Sequence, residues 1–340
     1  MRIYNLAHSR TRKKWVIDAD VKGAFDNISH TYLLKAIGQF PARELVKQWL
    51  KAGYVELGRL HETPAGTPQG GIVSPLLANV ALHGMEQALS IQRNRQGSIQ
   101  GSRAVVRYAD DFVVFCESRE DADECIHILR KWLAERGLQF SEEKTRIVHL
   151  QDGFDFLGFT IRHYKDRRTA SGWKLLITPS KESVGKIKEK LRAIWRKGLH
   201  WSVDVLLVHL NRVVRGWAYY FRTQVATATF NDLDSWMFHR QVRFVRRLHK
   251  GKNWDWLRAK YWSLKRPGSR DRWVFGSSVT GRYLEKFRWV RIQRHTMVKG
   301  AASPDDPALQ DYWENRRARL RNSCVAPLLG VPLSEGRFLG

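Results

Sequence analysis

Asp110 and Asp111 stand side by side in AVVRYADDFVVFCES, residues 104–118, with Val105 and Val106 before them and Phe112 to Phe115 after. This pattern predicts two short strands joined by a tight turn that carries both acids. Adjacent carboxylates repel each other, and partial burial adds a desolvation cost, so a cation is expected beside them. A hard divalent metal coordinated by oxygen is the economical answer. A third carboxylate, Asp20, closes the apolar run KKWVIDADV, where a strand could bring it next to the turn. Three carboxylates from two strands suit two metal ions about 3.5 to 4 Å apart, an arrangement that serves in-line phosphoryl transfer.

The elements that must position these acids can be followed along the first 160 residues. KKWVIDADV reads as a strand. SHTYLLKAIGQF reads as a helix capped by Ser29 and interrupted by Pro41, and ARELVKQWLKAG as a second helix. The turn-rich HETPAGTPQGGIVSP leads into a helix with Ser74 as the expected cap and Pro75 at its first position. SREDADECIHILRKWLAERG puts Ala122, Ile126, Leu129 and Leu133 on one helical face, with acids in the first turn and Gly137 as the stop. EKTRIVHL and GFDFLGFTIRHY follow as strands. Mixed elements around an antiparallel hairpin predict an α+β fold rather than a doubly wound parallel sheet.

The second half changes character at TPSKES, where Thr178 and Pro179 are expected to start a helix. Val184, Ile187, Leu191 and Ile194 recur at helical spacing, and a second helix starts at Ser202. A third, from about Asn231 to His249, carries Arg240, Arg243, Arg246 and Arg247. Three consecutive amphipathic helices predict a small bundle. Beyond GKNWDW the chain reads as irregular and basic to its end.

Charge divides the chain in the same place. The 340 residues carry a net +26, but residues 1–160 hold 21 Lys+Arg against 19 Asp+Glu, whereas residues 161–340 hold 38 against 14. The second half, at +24, also holds 11 of the 14 tryptophans, many beside basic residues. Cations for phosphates interleaved with flat rings for bases suit an extended nucleic-acid surface. Any single tryptophan is as well explained by a core, but the summed charge would repel itself without a polyanion. No apolar run approaches the roughly 20 residues that span a bilayer, and the basic start has no signal-peptide core, so a cytosol-like compartment without membrane partners is expected. Cys116, Cys125 and Cys324 have no CxxC spacing and support neither a disulfide framework nor a zinc site.

Five blocks in order then carry a family resemblance. DADVKGAFDNISH, GTPQGGIVSPLLANVALHGME, RYADDFVVF, SEEKTRIVHL and FDFLGF resemble the reverse transcriptase/maturases encoded by bacterial group II introns. The resemblance covers nearly the whole chain. It implies a right-hand polymerase palm with a remnant of fingers over residues 1–165, an α-helical thumb or maturase domain over 166–265, and a small basic DNA-binding region over 266–340. It also implies that most of the N-terminal fingers and a C-terminal HNH endonuclease with paired cysteines are missing, so that a complementary fingers segment or a second subunit would complete the polymerase.

Carried over by position, the resemblance makes Asp20, Asp110 and Asp111 ligands of two Mg²⁺ ions, with the carbonyl of Val21 a further one. Asp18 and Asp26 are read as surface or capping acids. Phe25 takes the steric-gate position that rejects a 2′-hydroxyl, although its spacing alone would equally suit a core ring. Gln69 and Gly70 line the nucleotide pocket, with Lys22 and Arg107 as lesser candidates for nucleotide phosphates. Lys144 stands where a lysine approaches the triphosphate and protonates the leaving group. Phe156, Leu157 and Gly158 form the block that grips the primer end. Arg243, Arg246, Arg247, Arg316 and Arg317 are the candidate nucleic-acid contacts. The implied function is RNA-directed DNA synthesis from dNTPs, intron RNA binding that aids splicing, and retrohoming by target-primed reverse transcription into DNA. The site would be the bacterial cytoplasm, on the nucleoid when target DNA is bound. The alternative is a non-enzymatic splicing maturase whose palm is only an RNA-binding platform.

Overall fold

The apolar residues around Asp110 and Asp111 form the expected hairpin in the computed structural model of the chain. The structure describes residues 2–324 except 69, 95–96, 98, 265, 267–269, 295–297, 299–301, 303 and 305, and leaves out the side chains of 56 and 320–324. The described chain forms two compact units, residues 1–92 with 100–296 and residues 93–99 with 297–340.

In the first unit, β1 (Trp15–Ala19), β2 (Ala104–Tyr108), β3 (Asp111–Cys116) and β4 (Arg146–His149) make one antiparallel sheet in the order β2-β3-β1-β4. The two central strands are apolar on both faces. Val16, Ile17, Val113, Val114 and Phe115 are fully buried, each side chain contributing roughly 1.5–3 kcal/mol relative to exposure. Around the sheet stand α1 (His30–Ala36), α2 (Arg43–Lys51), α3 (Ser74–Ala81) and α4 (Arg119–Ala134). Ser29 caps α1 by accepting the Tyr32 N–H, and Ser118 caps α4 by accepting the Asp121 N–H. Ser74 departs from its expected role. It is the first residue of α3, and its hydroxyl donates to the Pro68 carbonyl instead of capping.

A second antiparallel sheet follows, β5 (Phe154–Phe156), β6 (Phe159–Lys165) and β7 (Trp173–Pro179), with β6 in the middle. Strand β7 corrects the expectation that Thr178 and Pro179 begin a helix. Both pair with β6, and the helix starts only after Ser180, which accepts the Ser183 N–H. Proline is tolerated there because β7 pairs on one side only.

The bundle consists of α5 (Lys181–Lys197), α6 (Val203–Phe221) and α7 (Thr227–Leu248), the last starting four residues before the expected Asn231. The stretch expected to be irregular contains a further helix, α8 (Trp254–Tyr261), capped by Asn253. Ile187, Leu191, Leu206, Leu210, Phe230 and Leu233 form a core that Phe275, Leu284 and Phe287 complete, so it runs past residue 265. In the second unit, α9 (Gln310–Cys324) follows a short turn capped by Asp306.

One carboxylate staples the irregular segment to the bundle. Asp234 on α7 accepts the backbone N–H groups of Phe287 at 2.8 Å and Arg288 at 3.0 Å. Its burial outweighs these bonds and lifts its pKa from 3.8 to about 6. The folded state therefore holds this proton more tightly than the unfolded chain. The linked stability is fully present below about pH 3.8 and is lost as pH rises through about 6. The expected slope is worth at most roughly 3 kcal/mol, and thermal melts across pH 4 to 7 should lose that component in Asp234→Asn.

Candidate active site and nucleic-acid surface

Register brings the three sequence-predicted carboxylates together. Ala19 pairs with Phe112, so the next step along β1 sets Asp20 opposite Asp111. Tyr108 pairs with Asp111, which leaves Ala109 and Asp110 as the two-residue turn. Ala109 holds φ +55°, a left-handed conformation unusual for a residue with a Cβ. Arg107 braces that turn, its Nη1 donating to the Ala109 carbonyl at 2.9 Å and to Asn79 Oδ1 at 3.0 Å. This is a structural task, distinct from the phosphate contact considered from the sequence.

The Asp20 side is equally fixed. Its backbone N–H donates to Thr145 Oγ1 at 3.4 Å, and its carbonyl accepts the Ser141 N–H at 2.8 Å. Lys144, in the same SEEKT loop, places Nζ 3.2 Å from Asp20 Oδ2 while remaining largely exposed. Val21 bridges Phe140 through the flanking residues, with the Lys22 N–H donating to Gln139, so Val21's own carbonyl is outside the bridge's hydrogen bonds. The Lys22 side chain is exposed.

Burial raises the Asp111 pKa, and the charges of Asp110 and Asp20 raise it further against the opposing pull of Lys144. Three carboxylates gathered at one hairpin, with a single lysine set against Asp20 and Asp111, match a hard divalent cation held by oxygen. Asp18 corrects its reading as a surface acid. It lies on β1 across from Arg146, whose Nε and Nη2 reach its Oδ2 at 3.1 and 3.0 Å. Burial lifts its pKa, opposed by Arg146 and aided by Asp155 and Asp111. Asp26 is exposed.

A glycine missed in the sequence docks the loop after it on the Phe25 segment. Gly66 adopts φ +76°, and a Cβ there would stand 2.4 Å from the Phe25 carbonyl oxygen. This close approach lets Thr67 donate its N–H to Phe25 and Gly66 donate to Ile28, which sets the TPQGG turn beside a half-buried Phe25. Gly70 turns at φ +91°, with nothing near its missing Cβ. Gln69 lies outside the described residues.

Phe156, Leu157, Gly158 and Phe159 form a second tight turn, with Leu157 at φ +49° and Gly158 at φ +79°. Two helices hold it. The Ser180 N–H and Ser183 Oγ donate to the Gly158 carbonyl at 2.9 and 3.1 Å, and Tyr220 Oη on α6 donates to the Leu157 carbonyl at 2.8 Å.

Arg243, Arg246 and Arg247 are exposed along α7. The sequence reading missed the centre of this surface. Arg192 on α5 and Arg240 on α7 both lie over the Trp236 ring, 5.6 and 5.1 Å from its centroid. Burial and then the charges of Arg192, Arg243 and Arg196 push the Arg240 pKa down. Among the described residues no carboxylate pairs with these four arginines. The four-residue spacing of Trp236 and Arg240 was visible in the sequence, but Arg192 reaches them only through bundle packing. In the second unit Arg317 is exposed, whereas Arg316 is buried at 9% exposure, against the expectation of a surface cation.

No helix among the described residues is long and apolar enough to cross a membrane. Residues 2–161 match the family model "Reverse transcriptase (RNA-dependent DNA polymerase)", whose members generally use divalent metal ions. Residues 184–262 match "Group II intron, maturase-specific domain". The chain is 32% identical to protein YkfC of Escherichia coli over 187 residues, covering 46% of this chain and 49% of the relative. It is 26% identical to the group II intron-encoded protein LtrA of Lactococcus lactis over 323 residues, covering 70% of this chain and 53% of the relative. It thus spans about half the length of these curated relatives. A solved telomerase from Candida albicans aligns with a TM-score of 0.39 at 15% identity, over 76% of this chain and 47% of that one. With a reverse transcriptase domain followed in order by a maturase-specific domain, the α+β palm and helical bundle make this chain a member of the group II intron-encoded reverse transcriptase/maturase family.

Proposed function

We propose that this chain is an RNA-directed DNA polymerase and intron maturase that binds group II intron RNA, assists its splicing and supports retrohoming by target-primed reverse transcription. The observation that carries the reading is the convergence of Asp20, Asp110 and Asp111 on one pinned turn with Lys144 at 3.2 Å. Two Mg²⁺ ions, held by these carboxylates and the Val21 carbonyl, would supply activation of a primer 3′-hydroxyl and neutralisation of the departing pyrophosphate. Lys144 is exposed enough to exchange Asp20 for the triphosphate and protonate the leaving group. Phe25, Lys22, Gln69 and Gly70 bound the incoming dNTP, with the Phe25 ring excluding a 2′-hydroxyl. The Phe156–Gly158 turn supports the primer end.

Residues 1–165 act as palm, 166–265 as thumb and maturase domain, and 266–340 as the DNA-binding region, with Phe275, Leu284 and Phe287 packed into the bundle core. Arg243, Arg246 and Arg247, extended by Arg192, Arg196 and Arg240, bind RNA phosphates. Arg317 contacts target DNA. The setting is a bacterial cytoplasm, on the nucleoid during insertion.

The test is magnesium-dependent dNTP incorporation on a primed RNA template, with and without group II intron RNA, beside Asp110→Ala. Incorporation lost in the variant supports the reading. Absent incorporation with retained splicing rescue would leave a maturase only. The Tyr220 bond gives a finer check, because Tyr220→Phe removes one hydrogen bond, worth about 1 kcal/mol, from the turn that supports the primer. Primer-extension products should shorten a fewfold while the melting temperature stays within a few degrees of the parent.

A further inference from the structure

A groove of about 730 Å³ lies between α1, α3, residues 83–88 and the end of α4, away from the carboxylate cluster. At its wall Arg136 is held unusually firmly. Its Nε donates to the Ala81 carbonyl at 2.9 Å and its Nη1 to the Trp132 carbonyl at 2.6 Å. Its guanidinium lies 4.4 Å from the Tyr32 ring centroid and 3.7 Å from that of Trp132. The side chain is only 7% exposed, and its one ionic contact is an edge approach of 3.5 Å to the exposed Glu135. Among the described residues nothing hydrogen-bonds to Nη2.

We propose that this groove is a binding site for a single carboxylate, received on the open Nη2 edge of Arg136. The guanidinium is already desolvated and fixed, so binding costs little further side-chain entropy. Burial lowers its pKa but leaves it a cation at neutral pH, and a buried cation whose one carboxylate partner is an exposed side chain at 3.5 Å gains more from a further anion than an exposed one does. Asn79, His83 and Gln87 offer further polar contacts around the groove. One arginine as the groove's only strong cation, set between the Tyr32 and Trp132 rings with Glu135 close by, favours a single carboxylate over a polyphosphate or a nucleic-acid backbone, which calls for several cations.

The site also touches the catalytic turn. Asn79 lines the groove and accepts from Arg107, which in turn holds the Ala109 carbonyl. An occupant that engages Asn79 therefore acts on the brace of the Asp110 turn.

The test is NMR titration of the whole chain with benzoate, benzamide and inorganic phosphate, following the Trp132 indole and the Ala109 and Asp110 amides. Benzoate should bind saturably with a dissociation constant on the order of 1 mM. Benzamide and phosphate should bind at least tenfold more weakly. Ala88→Phe, which fills the groove without touching Arg136's carbonyl contacts, should abolish binding while leaving the melting curve unchanged. An acetylated, amidated Phe-Asp-Phe peptide distinguishes the sources, because tighter binding than benzoate assigns the site to an acidic side chain of a protein and weaker binding to a small organic acid. Equal binding of benzoate and benzamide, stronger binding of phosphate, or no saturation overturns the proposal. Benzoate binding without movement of the Ala109 and Asp110 amides keeps the site and overturns its link to the turn. None of these readouts requires polymerase activity.

Discussion

Asp111→Asn should lower magnesium-dependent dNTP incorporation by at least about 10³-fold, equivalent to roughly 4 kcal/mol of transition-state stabilisation. The substitution is isosteric, so the turn that sets Asp111 opposite Asp20 keeps its shape. What disappears is one negative charge from a group of three, of which Asp20 and Asp111 face Lys144. Asp20→Asn and Asp110→Asn should have comparable effects. Asp18→Asn provides the contrast. Its carboxylate lies on the same strand, two residues from Asp20, but is already neutralised by Arg146 at 3.0 Å. It should cost tenfold or less in rate and leave the melting temperature close to the parent's, because burial already disfavours the Asp18 charge and Arg146, largely exposed, is hydrated without its partner. All four variants should bind RNA as the parent does. Steady-state incorporation measured beside filter binding and thermal melts separates the effects. A loss at Asp18 equal to that at Asp111 would show that the acidic site has been drawn around the wrong residues.

The difference between Asp18 and Asp20 marks where sequence reading reaches its limit. The hairpin was legible because apolar runs flank a short acidic stretch, although the turn is Ala109–Asp110 and Asp111 begins β3, where the reading had put both acids in the turn. The helix starts at Ser29 and Ser202 were legible because capping is local. Asp18 was not, since its burial depends on Arg146 arriving from 128 residues away. Strand β7 was misread for a related reason. Thr178, Pro179 and Ser180 resemble a helix start, and only pairing with β6 extends the strand through Pro179. Gly66 looked like one turn glycine among several. Its need for a missing Cβ comes from the Phe25 carbonyl, a contact made by folding. The tryptophans divide in the same way. Trp195 and Trp262 are buried in the bundle core, whereas Trp236 is only partly buried and lies beneath two arginines. Composition showed that rings and cations coexist, but only the tertiary structure decides which rings face solvent.

That last distinction sets the expected result for the basic surface. Replacing Arg192, Arg240 and Arg243 together by Gln should weaken binding of structured intron RNA on the order of 10²-fold near physiological salt. It should also reduce the slope of log K against log salt by about 2 to 3, because each phosphate contact contributes roughly 0.7 to 0.9. The three guanidiniums come from two helices and raise one another's electrostatic cost, and no carboxylate among the described residues relieves it. Their removal should therefore not destabilise the bundle and should raise its melting temperature slightly, since like charges in proximity oppose folding. Trp236→Leu tests the ring separately. The arginines keep their charge but lose the face over which they lie, 5.1 and 5.6 Å from its centroid, so affinity should fall several-fold with the salt slope nearly unchanged. Opposite movement of stability and affinity in the triple variant is the signature of a surface organised for a polyanion. If affinity and slope both stay at the parent values, these arginines are only a solvated face and the intron RNA is held elsewhere.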